Sequence, residues 1–257
     1  MVKEVLVFQP QVAKNKPETI IHKNNACPFC DVPHLTDILA QEDDRIWLVN
    51  KYRTLIDTWQ TVLIESSNHN GDISNYDVSQ NRKVIKFALN AWAKTMADPK
   101  YKSVVLYKNF GPYSGGTLTH PHMQIVGFEK IDGYKNITDT NFSGPMIWEN
   151  ETVAVTLSDQ PVMGFVEINV ILKIKAGLNK FADTIQKIVQ YILNDYFGGR
   201  CNSYNLFFYQ NSQGQTVAKA LPRFVDSPYF VGYRISQVND EARTVQLKQE
   251  ILQRLMK

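Results

Sequence analysis

Two apolar stripes at helical spacing constrain this chain more than any other feature, because strand-like segments frame each of them in the same order. The first, Ser79–Ala97, places Val84, Ala88, Ala91, Trp92 and Thr95 three and four residues apart, so one face is buried. Asp98-Pro99 stops it, since proline cannot continue a helix and pushes the preceding residue out of helical geometry. β-Branched and aromatic runs precede it at Val5–Phe8, Arg45–Val49 and Thr61–Glu65, and follow it at Val104–Tyr107 and His120–Phe128. The second stripe, Asn179–Phe197, carries Phe181, Ile185, Ile188, Val189, Ile192 and Tyr196 and ends at Gly198-Gly199. Strand-like runs flank it at Thr152–Leu157, Phe165–Ile174, Tyr204–Tyr209 and Tyr229–Ile235. Asp240–Met256 then reads as a final amphipathic helix through Val245, Leu247, Ile251 and Leu255.

Two rounds of strand–strand–helix–strand–strand predict an internal duplication, with halves at 1–131 and 146–257. The joint between them, 132–145, is rich in Gly, Asn, Thr and Ser, as a loop should be. Helices and strands alternate in blocks rather than one for one, which favours α+β architecture: antiparallel sheet with helices packed on one face. The competing explanation is chance similarity between two stretches of mixed structure.

Composition narrows the function. The 257 residues carry 28 Lys+Arg against 25 Asp+Glu, a formal net charge of +3. The basic residues are scattered singly, without the concentrated stripe of a nucleic-acid binder. No run reaches the length of a membrane span, and Val5–Phe8 is too short for a signal-peptide core. Three cysteines cannot build a disulfide framework. The expectation is a folded cytoplasmic protein that engages neither nucleic acid nor membrane.

The chemistry-bearing residues cluster in the first half. Only five histidines occur, and two of them stand in His120-Pro121-His122-Met123-Gln124. In an extended segment His120, His122 and Gln124 would share one face, and Pro121 confines the segment to a sheet edge or a strand beginning. The preceding run, Asn109 to Thr119, includes Gly111, Gly115, Gly116 and Thr117. Such a turn can present backbone N–H groups to a phosphate. Cys27-Pro28-Phe29-Cys30 has three readings: half of a metal site, a redox pair, or inert buried thiols. Pro33 makes a helix through this point awkward, which weakens the redox reading. A structural zinc needs two more ligands; His22 and His34 lie near in sequence, His69 and His120 far away. Cys201, alone after Gly198-Gly199, reads as a core or edge residue.

These residues resemble the galactose-1-phosphate uridylyltransferase branch of the histidine-triad superfamily. The resemblance rests on Cys27-x-x-Cys30, Asn50 and His69 after strands, and Asn109-x-Gly111 through His120-Pro121-His122-x-Gln124. Phe230-Val231-Gly232-Tyr233 is similar, more weakly, to the family's C-terminal strand. The resemblance implies a duplicated histidine-triad-like fold and zinc (Zn2+) held by Cys27, Cys30, His69 and His120. It implies that His122 attacks the α-phosphorus of a nucleoside diphosphate sugar, that Gln124 serves the phosphoryl oxygens, and that a sugar phosphate collects the nucleotide. Asn50, Asn109, Gly111, Gly115, Gly116 and Thr117 take the substrate-binding positions, and a homodimer is compatible with the branch.

The chain also departs from that pattern. The family's arginine-rich N-terminal segment is here Gln9 to Lys16, where Lys14 or Lys16 must serve without a bidentate fork. Lys51 stands where the family has an acidic residue, and no histidine follows His122. Galactose specificity is therefore unsupported. A nucleotidyltransferase working through His122 is expected. The alternatives are a dinucleotide phosphorylase or hydrolase, and a non-catalytic zinc-stabilised nucleotide-binding protein.

Overall fold

In a computed structural model, which describes residues 5–20 and 26–257, the chain divides into two compact units. The first comprises residues up to 72, 83–108 and 115–136; the second comprises 73–82, 109–114 and 137–257.

The first unit is built on a five-stranded antiparallel sheet. After a one-turn helix α1 (Pro10–Ala13) come β1 (Ile38–Glu42), β2 (Arg45–Val49) and β3 (Thr58–Ile64). Helix α2 (Val78–Met96) follows, then β4 (Ser103–Phe110) and β5 (His122–Phe128). Their order in the sheet is β1-β2-β3-β5-β4, which seats β5 between two neighbours. Asp77 caps α2 by accepting from the Gln80 N–H at 2.8 Å. The expected stripe is buried, with Val84, Ala88, Ala91, Trp92 and Thr95 all nearly inaccessible. The Trp92 indole N–H donates to the Val104 carbonyl, fixing the helix to the sheet.

The second unit repeats this plan. Strands β6 (Met146–Glu149), β7 (Val153–Leu157) and β8 (Ile168–Leu172) lead into α3 (Leu178–Asn194), then β9 (Tyr204–Gln210) and β10 (Thr216–Pro222). The sheet order is β6-β7-β8-β10-β9, the same permutation as in the first unit. Helix α3 buries Phe181, Ile185, Ile188, Val189 and Ile192 against β8, β9 and β10. A short helix α4 (Pro228–Tyr233) and the final helix α5 (Glu241–Met256), capped by Asp240, complete it. Each repeat therefore has three strands before its helix, one more than the sequence pattern reveals in the second half.

Six segments differ from the sequence reading. Val5–Phe8 forms no strand, only an isolated bridge from Phe8 to Leu55, and its side chains stay exposed. Tyr229–Ile235 is no strand: Tyr229–Tyr233 lie in helix α4, Arg234 caps it, and Ile235 follows. Ser227 accepts from the Tyr229 N–H and Pro228 opens the first turn, so local capping overrides β propensity. The sequence reading also misses β1, β6 and β10. In β10 the charged Lys219 sits mid-strand, hiding the apolar pattern, yet it is buried against Glu167 at 2.6 Å. Finally, the ladder of β5 begins at His122 and leaves out His120, because Pro121 has no N–H to give. No helix among the described residues is long and apolar enough to cross a membrane.

Candidate active site and metal centre

Four side chains from three separate stretches converge in the first unit. The ligand atoms of Cys27, Cys30, His69 and His120 all lie within 4.8 Å of one another. Cys27 and Cys30 sit on a turn closed by the Cys30 N–H to the Cys27 carbonyl, His69 follows β3, and His120 precedes β5. Cys27 Sγ is 3.6 Å and Cys30 Sγ 3.4 Å from His120 Nδ1, and Cys30 Sγ is 3.3 Å from His69 Nδ1. Tetrahedral zinc, with Zn–S near 2.3 Å and Zn–N near 2.0–2.1 Å, separates sulfur from nitrogen by about 3.6 Å. The donors therefore fit such an ion. The His120 Nε2–H donates to the Ser66 carbonyl at 2.9 Å, which fixes the tautomer with Nδ1 free to ligate. Burial lowers the His120 pKa, keeping the ring in the neutral form a metal needs. Burial, followed by the hydrogen bond and charge of Cys27, pushes the Cys30 thiol up to about 11. Two adjacent thiolates thus need a cation to be stable, and the cluster can hold a metal ion of the kind that Cys2His2 sets bind. His34 is outside the cluster; it pairs with Asp31 at 2.7 Å and is exposed. His22 lies outside the described residues.

Two residues beyond His120 stands His122, and the Phe29 ring packs edge-on to both imidazoles. His122 and Gln124 line a cavity of about 280 Å³, together with Lys16, Asn50, Lys51, Gly115, Gly116 and Thr117. Of His120, His122 and Gln124, the last two line this cavity, while His120 belongs to the Cys2His2 cluster. The His122 Nδ1–H donates to the His120 carbonyl at 2.8 Å, leaving Nε2 as the nitrogen open to the cavity. Burial pushes the His122 pKa down to about 4, with the Lys108, Lys16 and His120 charges adding to the effect, so its imidazole is neutral near pH 7. The Phe29 ring stands edge-on to His122, with centroids 5.4 Å apart, and walls one side.

The other residues singled out by sequence fall into two groups. Asn50 is positioned by its own turn, with Oδ1 accepting from the Tyr52 N–H at 2.8 Å. Gly115 has φ +82°, a left-handed value that glycine adopts without strain, and turns the loop at the cavity wall. Lys16 lines the cavity and Lys14 does not; burial lowers the Lys16 pKa. Asn109 and Gly111 are not among the lining residues. They belong to the second unit, where Asn109 Oδ1 accepts from Asn205 Nδ2 at 2.7 Å and Gly111 abuts the Asn202 and Ser203 backbone. Cys201 is buried, its thiol donating to the Ser203 carbonyl.

Sequence reasoning missed two supports. Lys108, Glu65 and Asp72 form a fully buried ion cluster, with Nζ 2.6 Å from Glu65 and 3.4 Å from Asp72. Burial alone would lower the Lys108 pKa, but the two carboxylates outweigh it and raise it. The Glu65 N–H donates to the Pro121 carbonyl, so the cluster anchors the backbone between the two histidines. The Tyr107 hydroxyl donates to Gln124 Oε1 at 3.1 Å, which leaves the amide NH2 of Gln124 as its cavity-side donor. Nothing in the sequence pairs residues this far apart.

The sequence family described as "Domain of unknown function (DUF4931)" matches with its N-terminal domain over residues 8–131 and its C-terminal domain over residues 134–255. A crystal structure of a DUF4931 family protein from Bacillus cereus ATCC 10987 is 42% identical, covers 86% of this chain and 100% of its own, and has a TM-score of 0.77. The chain belongs to the DUF4931 family. More distant structures share its fold. A uridylyltransferase matches at 15% identity over 91% of this chain and 92% of its own, with a TM-score of 0.71. An ADP-glucose phosphorylase from Arabidopsis thaliana, solved with bound ADP-glucose, matches at 14% identity over 95% and 93%, with a TM-score of 0.70. The chain thus shares its fold with a uridylyltransferase and an ADP-glucose phosphorylase, which is the fold the motifs imply. No curated protein matches the chain in sequence.

Proposed function

We propose that this DUF4931 protein is a nucleotidyltransferase that carries a nucleoside monophosphate on His122, taking it from a nucleoside diphosphate sugar and passing it to a sugar phosphate. The carrying observation is the buried, neutral His122 imidazole, whose Nδ1–H is fixed on the His120 carbonyl while Nε2 faces a cavity walled by a glycine turn. The fold it shares with a uridylyltransferase and an ADP-glucose phosphorylase supports the same reading.

In the first step the Nε2 lone pair of His122 attacks the α-phosphorus. An N–P bond forms, the P–O bond to the β-phosphate breaks, and sugar phosphate departs with that oxygen and its electrons. In the second step a phosphate oxygen of the acceptor attacks the same phosphorus and the N–P bond breaks, returning neutral His122. No proton transfer to a side chain is needed, which suits a glutamine at position 124: it cannot act as acid or base, only donate through its amide. The Gly115 and Gly116 backbone and the Thr117 hydroxyl would meet the charge spread over the transferring group. Lys16 and Lys51 would neutralise the diphosphate, and Asn50 would hold the nucleoside. A zinc ion on Cys27, Cys30, His69 and His120 would be structural, since protein fills all four positions.

The test is intact-mass measurement of the purified chain after exposure to a panel of nucleoside diphosphate sugars without acceptor. One nucleoside monophosphate per chain is expected, lost on adding sugar phosphate. If nucleotides raise the melting temperature while no donor leaves an adduct, the protein is a binder and the proposal fails.

A further inference from the structure

The second unit holds a larger cavity, of about 590 Å³, that the chemistry above does not use. Its walls are aromatic: Phe165 from the turn before β8, Tyr196 and Phe197 after α3, Phe224 after β10, and Phe230 on α4. Tyr196, Phe197 and Phe224 pack as a triangle, with centroids 4.7 to 6.2 Å apart. A volume in the range of small-molecule sites, lined this way, is a binding site in form.

Backbone geometry singles out the same place. Among the described residues, six non-glycine residues have left-handed φ values. Three are aspartates, which tolerate that region. The other three are Phe165 at +60°, Phe197 at +48° and Arg234 at +57°. Two line this cavity, and the third ends the helix that supplies Phe230. Phe197 takes the strained position although Gly198 and Gly199 follow it directly. Bulky side chains persist in such conformations where the rest of the structure holds them for a purpose. Here about half of the Phe165 and Phe197 surface remains open to solvent, so the strain does not serve core packing.

The polar groups at the cavity decide the ligand. Asp226 is paired with Arg223, Ser227 with Gln237, and the Asn239 amide donates to the Phe165 carbonyl. Arg200 differs. Its Nε donates to the Phe197 carbonyl and its guanidinium lies 6.0 Å from that ring, with no carboxylate partner among the described residues. Arg243, which also faces the Phe197 ring, is occupied by Glu250. One cation therefore remains at the edge of an apolar, aromatic box.

We propose that this cavity binds an amphipathic carboxylate, its aliphatic or aryl body among Phe165, Phe197, Phe224 and Phe230 and its anionic end on Arg200. The site is separate from His122 and does not depend on the nucleotidyl-transfer reading. Titration calorimetry of the full chain with decanoate, below its micelle concentration, should show saturable binding at one site. Arg200→Gln should weaken decanoate at least tenfold and leave decanol binding unchanged, and Phe224→Ala should weaken both. Phe197→Gly should weaken decanoate binding and raise the melting temperature, because glycine relieves the left-handed strain. The nucleotide-induced rise in melting temperature should be the same in all three variants, which separates failure here from failure of the first site. Absence of saturable decanoate binding, or equal binding by wild type and Arg200→Gln, overturns the proposal.

Discussion

The two repeats of this chain share a strand order and differ at one strand end. In the first, β5 opens with His122 paired to Ile64, the last residue of β3. In the second, β10 opens with Thr216 paired to Leu172, the last residue of β8. Thr216 and Ala218 thus occupy the places of His122 and Gln124. The connection into this strand differs as well. The first repeat spans residues 111–121 between β4 and β5, including the Gly115-Gly116 turn. The second closes between Gln210 and Thr216 with a short turn in which the Gly214 N–H donates to Asn211. One scaffold therefore supports two outcomes, and the difference lies in a strand end and the loop entering it, the places where an α+β fold tolerates change at least cost to its core.

The sharpest break in the comparison comes from exchanging its chemistry. His122→Gly should abolish the covalent adduct, a loss of at least about 10³-fold in transfer, while elemental analysis still finds the metal and circular dichroism the fold. Thr216→His should create no adduct, since that position has neither the glycine loop nor a backbone-fixed tautomer. An adduct on the introduced histidine would show that strand position alone suffices.

Each repeat also buries a lysine, and the two are held differently. Lys108 faces Glu65 and Asp72, whereas Lys219 meets Glu167, the Ser158 hydroxyl and the Asn141 carbonyl. Removing one partner of a buried pair costs about 3–5 kcal/mol. Lys108→Met would leave two carboxylates facing each other and should reach the upper end of that range in urea unfolding. Lys219→Met should sit near the lower end, because Glu167 keeps three backbone donors from Val162, Met163 and Gly164. A larger loss for Lys219→Met would show that those amides do not compensate the charge.

These lysines also mark where sequence becomes hard to read. The site was legible where rare residue types cluster: two histidines around Pro121, two cysteines around Pro28, glycines beside Thr117. The helices were legible because a buried face imposes a period on nineteen residues in α2 and seventeen in α3. Strand β10 was not, since Lys219 interrupts its apolar run and only tertiary pairing makes a buried ammonium tolerable. Edge strands β1 and β6 were missed because an exposed strand need not alternate; Gln41, Glu42, Met146 and Glu149 all face solvent. Helix α4 was misread because Ser227-Pro228 outweighs Phe230, Val231 and Tyr233. Asn109 and Gly111 come from the family resemblance and adjoin the Gly115-Gly116 turn in sequence; what the sequence does not reveal is their contacts with Asn205, Asn202 and Ser203.

Stripping metal from the proposed Cys2His2 site should affect one repeat only. Treatment with a chelator is expected to raise amide hydrogen exchange around Cys27–Cys30 and Ser66–His69, and to lower the melting temperature by about 2–4 °C for each kcal/mol of binding lost. Exchange in β6 to β10 should stay unchanged. If chelation instead loosens both repeats equally, the cluster supports the whole chain rather than the strand end that carries His122.

The smallest effects concern two glycines four residues apart in the same loop, which sharpen the comparison because they serve different units. Gly111 belongs to the second unit and Gly115 to the first. A Cβ on Gly111 would stand 2.2 Å from the Asn202 carbonyl oxygen and 2.5 Å from Ser203 Oγ, so backbone must move to admit it. Gly111→Ala should therefore destabilise by more than the left-handed backbone alone explains, with the loss read in the second repeat by hydrogen exchange around Asn202–Asn205. Gly115 has nothing within 4 Å of its Cβ position, so space is not the constraint. Its φ of +82° is, and alanine there costs about 1–2 kcal/mol of conformational strain. The loop can relieve that strain by rotating, because it is exposed at this residue. The measured loss of stability should fall to about 1 kcal/mol or less, while the rotation turns the amides of Gly115 and Gly116 away from the phosphate. Gly115→Ala should thus weaken nucleotide binding more than it weakens the fold, and Gly111→Ala should do the reverse. Titration of both variants with one nucleoside diphosphate, beside their urea midpoints, decides it; equal effects of Gly115→Ala on both readouts would mean that this turn is a hinge of the fold and not a cradle for phosphate.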